Sequence, residues 1–326
     1  MRVLPRRFLA ACALVIAVAP VATSRAGSLD LPTHRWGLSF GNSRDFTGLR
    51  LNLRDRDVGT ITGVSTTFWI PPDDPRGQVR GLSLGVIGTG AERIDGLSIN
   101  LVGVGATQRA RGILIGGLGA GAGDNSTGVI VGGLGAGAGE NATGIIVGGL
   151  GAGAGDNVSG VLIGGLGAGA GTNAKGIIVG GLGAGAGDDA TGVVLSGLGA
   201  GAGNRATGVM VGGLAAGAGD NLVGLAIGGL AAGAGRRFTG VGIGGAGLKA
   251  TDWRGLAVTG GYLSCDRFAG LGVAGYARAG ERCDGLAIAI FNWTRELHGV
   301  QIGLLNYAGN NRRGTKWLPG LNLHLN

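Results

Sequence analysis

The stretch Gly128-Val129-Ile130-Val131-Gly132-Gly133-Leu134-Gly135-Ala136-Gly137-Ala138-Gly139 decides how this chain reads. A polar segment beginning at Glu140 follows it, and Gly144 then opens a near-identical phrase. The leading glycine stands at Gly48, Gly63, Gly81 and Gly96 and returns every sixteen residues from Gly96 to Gly240. It continues at fourteen or fifteen residues through Gly255, Gly270, Gly285 and Gly299 to Gly314. A beat this regular marks an array of stacked units rather than an enzyme fold.

Within one unit, Val129, Val131 and Gly133 fall on one face of an extended strand, and Ile130 and Gly132 on the other. The Gly-Ala alternation puts Ala136 and Ala138 on one face and only hydrogens on the opposite one. Asp124-Asn125-Ser126-Thr127 is rich in turn formers. No unit shows the 3.6-residue period of a helix. Each unit therefore reads as two short strands, 129–133 and 135–139, with Leu134 at the bend between them. Stacking such units predicts an all-β, repetitive parallel β-solenoid with 14–16-residue coils and a thin Gly/Ala-rich core. Its length would be roughly 70–80 Å at about 4.8 Å per rung. The alternative is a transmembrane β-barrel, since a membrane strand of about 9–11 residues plus a turn approaches the same period. The lack of any aromatic residue from Gly112 to Arg237 and the apolar character of both strand faces weigh against it.

Composition agrees with a thin structure. Glycine supplies 77 of 326 residues, so a thick core cannot form. Hydrophobic residues make up 44% and charged residues 14%, which argues against disorder. Residues 1–26 read as a signal peptide: Arg2, Arg6 and Arg7 precede an apolar run from Phe8 to Val21, and Ser24-Arg25-Ala26 offers a cleavage site. Its removal would lower the formal charge from +8 to +4, too little and too scattered to indicate nucleic acid. Residues 27–80 read as an N-terminal cap with irregular first coils, 81–292 as the repeat array and 293–326 as a C-terminal cap. The step from Gly63 to Gly81 holds Pro71-Pro72-Asp73-Asp74-Pro75, the signature of a protruding loop. Cys265 and Cys283 would survive processing and could form a disulfide in an oxidising compartment.

Gly299-Val300-Gln301-Ile302-Gly303-Leu304-Leu305-Asn306 and Gly285-Leu286-Ala287-Ile288-Ala289-Ile290-Phe291-Asn292 carry a family likeness. Each resembles the tandem unit of bacterial surface-repeat proteins, first noticed in spirochaetes and widespread in Gram-negative sequences. The central Gly-Ala units depart from that unit, lacking an asparagine where Asn292 and Asn306 stand. The resemblance implies export and a location in the periplasm, outer membrane or cell surface. It brings no catalytic residue, cofactor or substrate.

No residue set points to catalysis. His34, His298 and His324 lie far apart and near no cysteine or aspartate at ligand spacing, so no zinc signature results. The Gly-Ala runs lack the Lys-Ser/Thr ending of a phosphate loop. Asp124, Glu140, Asp156, Asp188 and Asp220 share one offset, and Asn125, Asn141, Asn157, Asn173 and Asn221 the next. An ion ladder along them is conceivable, but turn capping and solubility explain them more simply. Thr127, Thr143, Ser159, Thr191, Thr207 and Thr239 form a hydroxyl column that could order water; corner hydrogen bonding is the simpler role. Ile130, Ile146, Leu162, Ile178, Val194 and Met210 are out of phase with Val129 and Val131. Either this column is inside and two columns face out, or it is an exposed ribbon. The ribbon is the expectation, as a surface for lipid, a partner or another copy. The function expected is a non-enzymatic, exported structural or surface interaction protein of the bacterial envelope. It would need no cofactor, with homo-association, an envelope component or peripheral membrane contact as its partners. An outer-membrane pore or an ion-binding or water-ordering surface are the alternatives.

Overall fold

The computed structural model describes residues 27–33, 35–69 and 75–324; the expected signal peptide, most of the Pro71–Pro75 loop and His34 lie outside them. The chain is an all-β parallel solenoid. In the coil quoted above, a long strand Asn125–Gly132 is followed by a short strand Gly135–Ala138. Both repeat at each turn. Val129, Ile130 and Val131 pair in parallel with Ile145, Ile146 and Val147, and Ala136 and Ala138 with Ala152 and Ala154. The bends are stacked too: Leu134 N–H donates to Leu118 O at 2.7 Å, and Glu140 N–H to Asp124 O at 2.8 Å. The backbone thus forms its hydrogen bonds between coils even at the corners. A transmembrane barrel needs antiparallel neighbours, so this parallel ladder excludes the barrel alternative.

The recurring glycine has a specific cause. Gly128 has φ +123° and Gly144 φ +120°, in a region L side chains rarely adopt. A Cβ on Gly144 would lie 2.1 Å from the carbonyl oxygen of Gly128. The same conformation recurs from Gly37 to Gly299. Gly37 is therefore a rung that the spacing alone did not reveal: it pairs with Gly48 only eleven residues on. Gly314 is not a rung; it lies in a 3₁₀ turn, after which the chain reverses. At about 4.8 Å per rung, the ladder from Gly37 to Gly299 is roughly 80 Å long.

Both ends are closed by reversed strands. Ser28–Pro32 pairs antiparallel with the first rung, and Trp317–His324 with the last. Each carries a proline, Pro32 and Pro319, which removes a donor from an outer edge and discourages addition of further strands.

The polar segment is not the turn its composition suggests. The bend is confined to Gly123–Asp124, and Asn125–Thr127 continue the long strand. Ser126 is buried. The asparagines bond along the axis instead of capping their own corners. Asn141 Nδ2 donates to Asn125 Oδ1 at 2.9 Å, Asn157 to Asn141 at 2.8 Å, and Asn173 to Asn157 at 2.9 Å.

Candidate interaction face

The expected ribbon is not exposed. Ile130, Ile146, Leu162, Ile178, Val194 and Met210 are all buried and form the central column of the core. The bend fixes this phase. Gly132 points inward, where a Cβ would lie 1.9 Å from Gly135 O of the returning short arm. Position 132 is inward, where glycine leaves room for the short arm and only a small Ser196 or Thr259 replaces it from Gly116 to Thr259; Val131 is then outward and Ile130 inward. The space opposite Ile130 is filled by Ala136 and Ala138.

A second inward column lies two residues before each marker glycine, and in most coils its volume runs opposite to the first, Val158 with Leu162 being an exception. Ala142, Ala174, Ala190 and Ala206 accompany large residues at Ile146, Ile178, Val194 and Met210. From the next coil the bulk changes sides: Leu222, Phe238, Trp253 and Phe268 accompany Ala226, Gly242, Ala257 and Gly272. Phe238 and Trp253 stack with centroids 4.0 Å apart and planes 3° from parallel. The core keeps roughly constant width by trading volume between columns, as close packing requires.

The outward positions of the long strand are therefore the two flanking columns. One runs through Val129, Ile145, Val161, Ile177, Val193 and Val209, the other through Val131, Val147, Ile163, Val179, Leu195 and Val211. Both extend without a charged residue over the whole described ladder, and Thr66 is the single polar member. The reversed end strands continue them. Leu31 and Leu29 stand beside Leu38 and Phe40, while Leu323 and Leu321 stand beside Val300 and Ile302. Along one edge the bend adds a column of half-exposed leucines from Leu118 to Leu230. The strip is roughly 80 Å by 10 Å, on the order of 800 Å². That exceeds the largest apolar patch of an ordinary monomer, about 300–600 Å².

Charge is confined elsewhere. Between Gly112 and Gly247 every charged residue, from Asp124 and Glu140 to Arg236 and Arg237, lies within the four residues preceding a marker glycine. This makes one polar ridge. Some of it is paired across coils, as Arg236 with Asp220 at 2.9 Å. The hydroxyl column of Thr127 and Thr143 shares that ridge and is exposed. The short arm turns bare glycine outward.

Near both ends the polarity of the long arm is inverted. Arg50 is 1% exposed and bonds Asp55 at 2.6 Å, while its neighbour Leu49 is 40% exposed. Asn52 and Thr67 also donate to Asp55, at 2.8 and 2.9 Å. At the other end Gln301 is 1% exposed while its neighbour Ile302 is 41% exposed, and past the bend the buried Asn306 accepts from Asn292 at 2.8 Å. The sequence reading missed these buried groups, although Arg50 and Gln301 occupy the inward phase two residues after a marker glycine.

Cys265 and Cys283 are buried free thiols lining one small internal cavity with Asn292 and Gln301. Burial, reinforced by Cys283 and then Asp266, pushes the Cys265 thiol far above its ordinary range. Burial and the adjacent Asp284 push Cys283 up to about 12. His298 and His324 meet edge to face at the C-terminal end, where His324 Nδ1 lies 2.6 Å from Asn311 Oδ1. Among the described residues no group of three His, Cys, Asp or Glu side chains is placed to hold a metal ion. No described helix is long and apolar enough to cross a membrane. No protein-family model matches this chain, and no curated protein or solved structure is significantly similar to it.

Proposed function

We propose that this chain is a non-enzymatic, exported structural or surface interaction protein of the bacterial envelope, and that it works through the aliphatic face of its long arm. The observation that carries the reading is the continuity of that face. The two columns stay uncharged across every described rung and both reversed ends. Keeping so many β-branched and leucine side chains in water is unfavourable, and a structural role alone would be served equally well by threonine there. The surface-repeat resemblance of Gly285–Asn292 and Gly299–Asn306, and the leader-like residues 1–26, support export to the envelope. The rigid, coil-to-coil hydrogen-bonded ladder supports a scaffold rather than a moving catalytic site.

Fractionation of a tagged full-length chain in a Gram-negative host tests this. Recovery with the envelope after shortening at the leader is the expected result. An unshortened chain in the soluble cytoplasmic fraction would refute it.

A further inference from the structure

The geometry points to one occupant for the aliphatic face: the acyl region of a lipid leaflet, on which the solenoid lies lengthwise with its polar ridge in water. This inference rests on the interaction-face reading above and names its partner.

Three observations favour lipid over a second copy. First, the face has no register. Val129, Ile145, Val161 and Ile177 repeat at every rung, so two copies could slide by whole coils with almost unchanged contacts. Specific pairing needs features that penalise the wrong alignment, whereas acyl chains need no alignment. Second, the ends are inside-out. Arg50, Asp55 and Gln301 are buried while Leu49 and Ile302 face outward. A polar interior beneath an apolar exterior is the arrangement of proteins whose surroundings are lipid. Third, the backbone is ready for hydrocarbon. The coil-to-coil bonds of the long arm and its bends satisfy the main chain along the axis, so the face presents side chains without orphan amides. The confinement of charge to the Asp124–Thr127 ridge and its equivalents gives the rod one wet side. A helix lying in the interface solves the same problem by gathering its apolar side chains on one side at a period of 3.6. Here the two-residue alternation of the strand, repeated from rung to rung, does so.

The test uses the full-length chain and vesicles of zwitterionic phosphatidylcholine, which exclude attraction by lipid charge. Flotation is compared for the native chain, for Ile145→Glu with Ile177→Glu on the face, and for Thr143→Glu with Thr191→Glu on the ridge. Circular dichroism checks that each remains β-structured. The expected result is flotation that persists in about 1 M salt, where charge attraction is screened within a few ångströms. The face pair should lose approximately tenfold or more, and the ridge pair should change little. An environment-sensitive fluorophore separates the face from any contribution of residues 1–26. Attached through Val161→Cys it should shift to the blue with vesicles; attached through Ser159→Cys it should not. Equal shifts at the two sites, or none at Val161→Cys, overturn the proposal. If the native chain ignores vesicles but forms dimers that the face pair abolishes, lipid is the wrong partner and the interaction face stands. If neither vesicles nor self-association responds to the face pair, both readings fall.

Discussion

The exchange of core volume between the two inward columns predicts a large, sign-changing coupling between Gly242 and Trp253. A Cβ placed on Gly242 would lie 2.4 Å from Cη2 and 2.5 Å from Cζ2 of Trp253. The ring cannot retreat far, because Phe238 stacks on it at 4.0 Å and the residue is fully buried. Gly242→Ala should therefore cost about 1–3 kcal/mol by overpacking. Trp253→Ala removes the largest buried side chain of the core and its stacking. About 3–5 kcal/mol is the usual cost, with about 0.5–1.5 more for the aromatic pair. Against that, the Trp253 indole N–H has no partner, and its removal returns about 1–3 kcal/mol. A net loss of about 3 kcal/mol follows. In the Trp253→Ala background the new methyl at position 242 enters empty space. Gly242→Ala should then stabilise by about 1 kcal/mol, from methyl burial and reduced unfolded-state entropy. The coupling energy is the difference, about 2–4 kcal/mol. Urea unfolding of the four chains, compared through midpoints at constant slope, measures it. Additivity within about 0.5 kcal/mol would show that the two columns do not share one space, and would refute the volume-exchange account.

Two further outcomes follow from the glycine columns and the thiols. Gly144→Ala should abolish or severely destabilise the fold, because φ is +120° and the methyl would meet Gly128 O at 2.1 Å; Gly135→Ala, 4.0 Å from Gly151 O, should be neutral within about 0.5 kcal/mol. Ala215 and Ala231 already occupy the Gly135 position in other coils, so a severe Gly135→Ala defect in thermal melts would contradict the register. The thiol of Cys283 is raised to about 12, so the folded state holds its proton where the unfolded state has lost it. The stability it contributes is fully present below the ordinary thiol pKa near 9 and is lost as pH rises toward 12. Alkylation at about pH 9, near the ordinary thiol range, should be slow in the native protein and fast in urea; rapid native alkylation of both cysteines would refute their burial.

Much of this architecture was legible in the chain, and its phase was not. The glycine beat and the two-strand coil follow from Gly128–Gly139, and the missing aromatics favour a stack over a membrane barrel of similar period; the parallel direction is fixed by the ladder itself. Which face of Val129–Val131 lies inward could not be read from residue class, since valine and isoleucine stand on both sides. That ambiguity produced the exposed-ribbon expectation for Ile130 through Met210. A signal was nevertheless present. Residues two before and two after most marker glycines change size in opposition, Ala206 with Met210 but Phe238 with Gly242. Opposed volumes mean a shared interior. The outward columns show no such exchange, because nothing in the chain opposes them. The reversed ends were hidden for another reason. Leu29, Leu31, Leu321 and Leu323 alternate like any rung, and alternation carries no strand direction.

Uniform coils raise a difficulty that the ends resolve. Successive rungs from Gly112 to Gly224 are so alike that a slip by one whole coil would preserve nearly every core contact. The interior near the two ends is different in kind. Arg50 is held by Asp55, Asn42 and Ser65, and Asn292, Asn306 and Asn322 continue from rung to cap. A slipped ladder would leave such groups buried without partners, at about 1–3 kcal/mol for each neutral group and more for the charges. The apolar middle therefore supplies cohesion that is indifferent to register, while the polar ends supply register with less cohesion. The same division explains the outer surface. A face that must stay aliphatic over the whole rod cannot carry its own alignment marks, so those marks are placed inside, near the two ends where the reversed, proline-bearing strands stop the stack.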